Sequence, residues 1–311
     1  MAKKSQDPAD YIQPLNINGL SGRMLHIPAP KSRSDREVLM IYGHHSTLER
    51  WWGLAQCFNR FGAVTMPDLP GFGGMETLYS IGKTPNLDNM ADYLATFVKW
   101  RYKRKRVIVV GLSYGFLVTT RMLQRYPELT KKVEFLVSAV GFSHYSDFVF
   151  TPPRMRMYRL ASKTITFRPV AFVFRYAALN PYVLRKAYAK TFNAKKKFAG
   201  ADEALSKRLM DMEIVLWHAN DIRTHMYTTH DMLTVDNCQK QINLPLWHVA
   251  ASFDQYFDGH MVEQHLHVIF EDVHVAKNKS LKHAPSVIAD AAESMVMIPP
   301  KVRRALLAKR P

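Results

Sequence analysis

The stretch VIVVGLSYGF at residues 107–116 decides the fold of this 311-residue chain. Its first four residues are β-branched and apolar and predict a buried strand, whereas the following residues have helical spacing. Between the two lies Ser113, which Gly111 and Gly115 flank as G-x-S-x-G. On a strand–turn–helix this motif predicts a strained turn that lifts the serine hydroxyl out of the sheet. Side chains at either glycine position would collide with the adjacent strand and helix.

The rest of the chain alternates short apolar runs with amphipathic stretches. Apolar runs predict strands at 14–18, 23–27, 37–43, 63–74, 107–111, 133–142, 244–252 and 273–278. Helical periodicity predicts helices at 46–61, 87–100, 115–127, 259–270 and 286–297. Strands that are apolar on both faces and alternate with helices predict an α/β fold, a mostly parallel sheet of about eight strands flanked by helices.

This alternation stops between residues 148 and 240, which contain no clear buried-strand run. We expect a helical cap here, inserted after the sixth strand. The predicted domains are therefore a core of residues 1–147 and 241–311 and a cap of residues 148–240. Charge is concentrated in the insert, because residues 148–201 contain twelve Lys or Arg and no Asp or Glu.

The formal net charge of +17 favours anionic surroundings. Three interpretations of the basic cap stay open: a solvated face, attraction of an acidic substrate, and peripheral contact with an anionic membrane. The third is favoured by TFRPVAFVFRYAALNPYVL (166–184), where arginine alternates with aromatic residues as in interfacial segments. Nucleic acid is disfavoured as a partner, because no known reader motif accompanies the charge.

The cysteine content and the first residues of the chain predict a cytoplasmic setting. Cys57 and Cys238 lie far apart and form no CxxC pattern, as expected for a reducing compartment. The basic first residues are followed by no apolar segment typical of a secretory signal. No stretch is apolar and long enough to predict a membrane span.

A serine hydroxyl becomes a useful nucleophile only when a histidine takes its proton and an acid orients that histidine. Catalytic groups gather at the carboxyl ends of parallel strands, which selects His283 after the strand at 273–278 as the base. The same rule selects Asp254, after the strand at 244–252, as the acid. Asp258 and Asp147 remain alternative acids. The order Ser, Asp, His is the one expected for a serine on such a turn.

These segments together resemble the α/β-hydrolase superfamily, specifically its cap-bearing serine hydrolases of esterase or lactonase type. GLSYG (111–115) resembles the nucleophile elbow, and DLPGFGG (68–74) resembles the loop after the fourth strand. INLPLWHVAASFD (242–254) is similar to the segment that delivers the acid, and LKHAP (281–285) to the one that carries the histidine. The resemblance covers nearly the whole chain apart from the cap and implies the α/β-hydrolase fold.

The resemblance also implies an oxyanion hole formed by the backbone N–H groups of His44 and Tyr114. The third strand of the family usually ends in His-Gly, whereas this chain has Tyr42 before Gly43. A second departure is Phe116, where a small residue often follows the elbow. The candidate pocket residues are Tyr42, Gly43, His45, Trp51 and Phe116.

The function predicted in this way is hydrolysis of a carboxylic ester or lactone with an apolar acyl or alkyl group. A Ser-His-Asp triad and an acyl-enzyme would carry it, with no cofactor and no metal. HMVEQHLH (260–267) does not match the zinc motif H-E-x-x-H. Serine on the elbow disfavours the aspartate chemistry of dehalogenases and epoxide hydrolases. The alternatives are a monoacyl-lipid hydrolase acting at a membrane surface and a catalytically inactive binding protein of the same fold.

Overall fold

The computed structural model describes residues 7–33, 35–190, 203–252, 254–278 and 283–308. Eight strands form one sheet in the order β1-β2-β4-β3-β5-β6-β7-β8. Their bounds are Ile12–Ile17 (β1), Leu20–Ile27 (β2), Glu37–Ile41 (β3), Ala63–Pro67 (β4), Val107–Leu112 (β5), Val133–Ala139 (β6), Leu246–Ala251 (β7) and Val273–Asn278 (β8). β2 pairs antiparallel with β1 and β4, and the remaining neighbours are parallel. The mostly parallel sheet of eight strands flanked by helices, predicted from the sequence, is confirmed.

Every residue of β3, β4 and β5 is buried, because helices cover both faces of these parallel strands. The helices of the described residues are α1 (Trp52–Asn59), α2 (Leu87–Arg101), α3 (Tyr114–Arg125), α4 (Pro152–Ile165), α5 (Arg168–Val173), α6 (Pro181–Lys190), α7 (Glu203–Ala219), α8 (Ile222–Met232), α9 (Gly259–Ile269), α10 (Ala291–Ser294) and α11 (Pro300–Leu307).

The first two strands form the predicted hairpin. Asn18 and Gly19 connect them, and both have positive φ angles, 50° and 77°. This is the backbone of the two-residue turns whose twist matches that of the strands they join. The resulting register places Leu15 and Ile17 in the core.

The helices α4 to α8 lie between β6 and β7 in the chain and have an apolar cluster of their own. Ala171, Leu179, Leu184, Ile222 and Met226 form that cluster. These helices also contact the loop that follows β4: the N–H of Asp221 donates to the carbonyl of Gly71 at 2.8 Å. They therefore pack around a cluster of their own and are hydrogen bonded to a loop at the strand ends.

The end of the chain differs from the prediction. We expected one helix over 286–297, but α10 is a single turn followed by a 3-10 turn over Met295–Met297. A further helix, α11, begins at Pro300, where proline occupies the first helical position. The prolines end the first helical pattern and open a second one, which the apolar periodicity did not show.

Candidate active site

Ser113 lies on a strained turn between β5 and α3. Its φ and ψ angles are 47° and −113°, outside the regions that a residue with a side chain usually adopts. A Cβ on Gly115 would lie 2.1 Å from the carbonyl oxygen of Ile41, and one on Gly111 would lie 2.5 Å from the Cα of Phe116. Both positions therefore require glycine, and the turn holds Ser113 at the N-terminus of α3.

Asp254 and His283 form a hydrogen-bonded pair in the loops after β7 and β8. The Nδ1 atom of His283 lies 2.5 Å from Oδ2 of Asp254. The other carboxylate oxygen of Asp254 accepts the backbone N–H groups of Tyr256 at 2.8 Å and Phe257 at 3.3 Å. These bonds fix the carboxylate, which in turn fixes the plane of the imidazole.

Ser113 and His283 line the same cavity, which has a volume of about 910 Å³. They come together because β5 and β8 lie in one parallel sheet, whose carboxyl-terminal loops share one edge. The hydrogen bonds of the described residues include none from Ser113 Oγ to His283. Catalytic hydrogen bonds are often long in a ligand-free enzyme and tighten when the substrate binds.

The two alternative acids lie elsewhere. Asp258 is the N-cap of α9, where its carboxylate accepts the N–H groups of His260 and Met261. Asp147 is fully buried after β6 and pairs with His265 on α9, with 2.5 Å between Oδ1 and Nδ1. Among the described residues, neither carboxylate is hydrogen bonded to His283.

The loop after β3 brings Gly43 and His44 to the elbow. A Cβ on Gly43 would lie 3.4 Å from the Cβ of Ser113, so this loop passes directly beside the serine. Tyr114 is the first residue of α3. Its backbone N–H is one of the first N–H groups of the helix, which have no acceptor within the helix. Both segments therefore lie next to Ser113, and the oxyanion hole of His44 and Tyr114 stays a prediction.

The side chain of His44 fastens this loop to the cap. Its Nε2 atom lies 3.1 Å from the carbonyl oxygen of His225 and 2.9 Å from Oγ1 of Thr228, both on α8. A carbonyl oxygen only accepts, so Nε2 carries the hydrogen. Burial, aided by the neighbouring His45, lowers the pKa of His44 to about 3, and the ring is neutral at physiological pH.

Tyr42, which replaces the usual histidine, fastens the loop after β4. Its hydroxyl lies 2.8 Å from Oδ1 of Asp68 and accepts the N–H of Leu69. The same carboxylate accepts from Arg23 Nε at 3.0 Å and from the N–H of Gly74. Burial raises the pKa of Asp68 to about 6, although Arg23 opposes the shift. This polar cluster supports the strand-end loops from below the cavity.

The candidate pocket residues divide into two groups. Gly43, His45 and Trp51 line the cavity, and the indole N–H of Trp51 donates to Ser46 Oγ at 2.6 Å. Tyr42 and Phe116 do not line it, so their prediction as pocket residues needs correction. Both are fully buried, Tyr42 against Asp68 and Phe116 beneath the elbow, where its ring lies 6.2 Å from that of Phe270.

Several cavity residues were not predicted from the sequence. Apolar walls come from the cap and from the loop after β7, and polar groups lie near His45. No sequence pattern indicated the following lining residues: Arg50, Phe148, Phe150, Glu213, Trp217, His225, Met226, Met232, Tyr256 and Phe257. Most belong to the cap or its borders, where no motif fixes which side chain faces inward.

Among the described residues, no three His, Cys, Asp or Glu side chains are grouped so that they could hold a metal ion. His265 is engaged with Asp147, and His260 and His267 lie on the exposed face of the helix. The described helices include none that is both long and apolar enough to span a membrane.

Comparisons with known proteins agree with this architecture. A family model described as "alpha/beta hydrolase fold" matches residues 37–181. Protein ABHD8 from Homo sapiens is 29% identical over 119 residues, which cover 36% of this chain and 27% of ABHD8. The aligned region thus spans about a quarter of that relative.

Solved structures resemble nearly the whole chain at low identity. A thermophilic esterase from Thermogutta terrifontis aligns with a TM-score of 0.60 and 14% identity, over 94% of this chain and 96% of the esterase. An epoxide hydrolase from Bacillus megaterium aligns with a TM-score of 0.64 and 14% identity, over 94% and 98%. The resemblance to the α/β-hydrolase superfamily is confirmed, and the chain has its fold.

Proposed function

We propose that this protein is a serine hydrolase that cleaves carboxylic esters or lactones with an apolar acyl or alkyl group. One observation carries the proposal: Ser113 on its strained turn shares a cavity with His283, whose Nδ1 is hydrogen bonded to Asp254. The match to the family model and the shared fold support a hydrolase as the coarser conclusion, and the site residues support the finer one.

The proposed reaction uses each group for one task. Ser113 Oγ attacks the substrate carbonyl while His283 Nε2 takes its proton, and Asp254 holds Nδ1–H and stabilises the imidazolium. The N–H groups of His44 and Tyr114 stabilise the negative oxygen of the tetrahedral intermediate. His283 then protonates the leaving alcohol. Water, deprotonated by the same histidine, releases the acid from the acyl-enzyme.

The composition of the cavity wall supports an apolar substrate group. Phe148, Phe150, Met226, Met232 and Phe257 line it, and they come from both the cap and the core. Such side chains favour an acyl or alkyl chain and exclude water from the reacting carbonyl. We further propose that residues 148–240 act as a cap domain over a core of residues 1–147 and 241–311.

The chemistry of the epoxide hydrolase neighbour is not part of the proposal. An epoxide is opened in that family by a carboxylate on the elbow, whereas this chain has a serine there. At 14% identity, the similarity to both solved structures supports the fold and not the reaction. The proposed reaction class therefore depends on the residue at the elbow.

A substrate panel tests the proposal. It combines p-nitrophenyl esters of graded chain length, acyl-homoserine lactones and lysolipids, measured on native protein, Ser113→Ala and Ser286→Ala. Ser286 lines the same cavity, but its hydroxyl is bonded to Glu293, so it serves as a matched control. We expect turnover that Ser113→Ala abolishes and Ser286→Ala retains. If native protein turns over none of these substrates, the binding-protein alternative replaces the proposal.

A second candidate, hydrolysis of a monoacyl lipid at a membrane surface, is favoured by the outer face of the cap. Leu160, Phe167, Phe172 and Tyr176 are between 64% and 70% exposed. Beside them, a groove of about 440 Å³ is lined by Arg168, Arg175 and Arg223. Exposed aromatic side chains next to cations match the headgroup region of an anionic bilayer. We propose that this face docks on such a membrane from the cytoplasm.

Vesicle sedimentation tests the docking. Binding to phosphatidylcholine vesicles that contain phosphatidylserine should exceed binding to pure phosphatidylcholine and should weaken with salt. The double substitution Phe167→Ser and Phe172→Ser should lower this binding. Val296→Ser should not, because Val296 is an exposed apolar residue outside the proposed cap. Equal binding to both vesicle types would refute the proposal. The basic residues between 191 and 202 lie outside the described part of the chain.

A further inference from the structure

His225 on the cap helix α8 is a buried polar side chain that the proposed chemistry does not use. It is only 6% exposed and lines the cavity that contains Ser113. In the described part of the chain, neither of its ring nitrogens has a hydrogen-bond partner. Buried polar groups of native proteins are nearly always paired, so this imidazole is available to pair with a molecule bound in the cavity.

The position of His225 brings it close to the reacting centre. Its ring centroid lies 4.1 Å from that of His44, whose backbone N–H faces the elbow in the proposed reaction. The rings of Trp217 and His45 follow at 4.9 Å and 5.2 Å. Three rings therefore surround the imidazole, and a ligand can reach it from the cavity that it lines.

Charged side chains of both signs line the cavity: Arg50 and Arg154 are cationic and Glu213 is anionic. Glu213 accepts from Tyr188 at 3.0 Å. Burial lowers the pKa of Arg50, an effect that the Glu213 carboxylate opposes. Burial also lowers the pKa of His225 well below its usual value, so the ring is neutral, with one donor and one acceptor nitrogen.

We propose that His225 is a specificity-determining residue that hydrogen bonds an uncharged polar group, a hydroxyl or an amide, beside the scissile carbonyl. A neutral donor and acceptor match such a group. The neutral imidazole itself offers no counter-charge to compensate an ionised substrate group for the hydration that it would lose. This inference rests on the proposed ester hydrolysis and names the substrate class more narrowly.

Esters of similar shape test it. Propyl butyrate is the apolar reference, 2-hydroxyethyl butyrate places a hydroxyl in the alcohol, and propyl 3-hydroxybutyrate places one in the acyl part. Native protein should prefer one of the hydroxyl esters over the reference, measured as a ratio of kcat/KM. His225→Phe should lower that ratio about tenfold, the contribution of one hydrogen bond. His225→Gln should restore part of it.

His230→Phe is the matched control, because His230 is on the same helix but does not line the cavity. It should keep the native ratio. An unchanged ratio in His225→Phe, or a preference for the carboxylate-bearing butyryloxyacetate, would overturn the inference. Failure of the proposed function looks different: native protein and Ser113→Ala would then hydrolyse propyl butyrate equally or not at all.

Discussion

Two aspartate–histidine pairs of this protein have the same geometry and different surroundings. Asp254 with His283 and Asp147 with His265 both place a carboxylate oxygen 2.5 Å from Nδ1. In each pair the second carboxylate oxygen accepts two backbone N–H groups. Only His283 lines the cavity that holds Ser113. The aspartate–histidine hydrogen bond alone therefore does not identify a catalytic histidine. What distinguishes His283 is the cavity that it shares with Ser113.

The surroundings of Asp147 indicate a structural task. Its carboxylate accepts from Ser143 and His144 and ties the chain after β6 to α9 through His265. A bridge of this kind stabilises the base of the cap, where the backbone N–H of Asp258 also donates to the carbonyl of Asp147. One pair is thus expected to matter for turnover and the other for folding.

The largest expected effect separates the pairs by activity. Asp254→Asn should lower kcat for p-nitrophenyl butyrate about 10⁴-fold, because the imidazole loses the acceptor that fixes its tautomer. Asp147→Asn makes the same change in the other pair and should leave kcat close to native. Steady-state kinetics of both purified variants decide the matter, and losses of equal size would remove the distinction.

The next effect separates them by stability. Asp147→Ala leaves the buried N–H of Ser143, the partly buried N–H of His144 and the His265 imidazole without their acceptor. It should lower the free energy of unfolding by about 3 kcal/mol. Asp254→Ala should cost about 1 kcal/mol, because the Asp254 side chain is 9% exposed, against 0% for Asp147, and water can replace its carboxylate. Urea unfolding followed by circular dichroism measures both values. A larger loss for Asp254→Ala would reverse the structural assignment.

A third carboxyl group, Asp68, contrasts with both pairs because its partners are Arg23 and Tyr42. Burial raises its pKa from 3.8 to about 6, so the folded protein holds this proton more tightly than the unfolded chain. Its contribution to stability is therefore present at low pH and is lost as the pH rises through about 6, by about 2 to 3 kcal/mol. The unfolding free energy of Asp68→Asn should lack this decline. Parallel pH curves for native protein and variant would contradict it.

The smallest effect concerns Asp258. As the N-cap of α9 it should contribute about 1 kcal/mol, which Asp258→Ala removes and Asp258→Asn retains. Neither variant should change kcat appreciably. Thermal unfolding and the p-nitrophenyl butyrate assay on the two variants measure this, and a large kcat loss in Asp258→Asn would move the acid assignment away from Asp254.

The sequence predicted the sheet well because its central strands are buried on both faces and appear as uninterrupted apolar runs. It also predicted which loops meet, since the G-x-S-x-G turn and the residues after β7 and β8 lie at one edge of the sheet. Strand order favoured Asp254 as the acid and left Asp258 and Asp147 open as alternatives. The choice among the three depends on which carboxylate reaches the His283 ring, and that is a distance in space.

The cap was harder to predict for a physical reason. Its helices are short and amphipathic. Their apolar periodicity does not distinguish a side chain that lines the cavity from one that packs against other helices. The insertion at 148–240 was therefore predicted from the sequence, whereas His225 and Glu213 within it were not predicted to line the cavity. Tyr42 and Phe116 show the reverse case, since a motif placed them near the site but their large side chains pack beneath it.

The measurement that tests the account most directly is fluorophosphonate labelling followed by peptide mapping. It is made on native protein and on the Ser113→Ala, His283→Ala and His265→Ala variants. We predict a label on Ser113 in the native protein, none in Ser113→Ala, strongly slowed labelling in His283→Ala and near-native labelling in His265→Ala. Labelling that survives in Ser113→Ala, or that depends on His265 rather than His283, would contradict it.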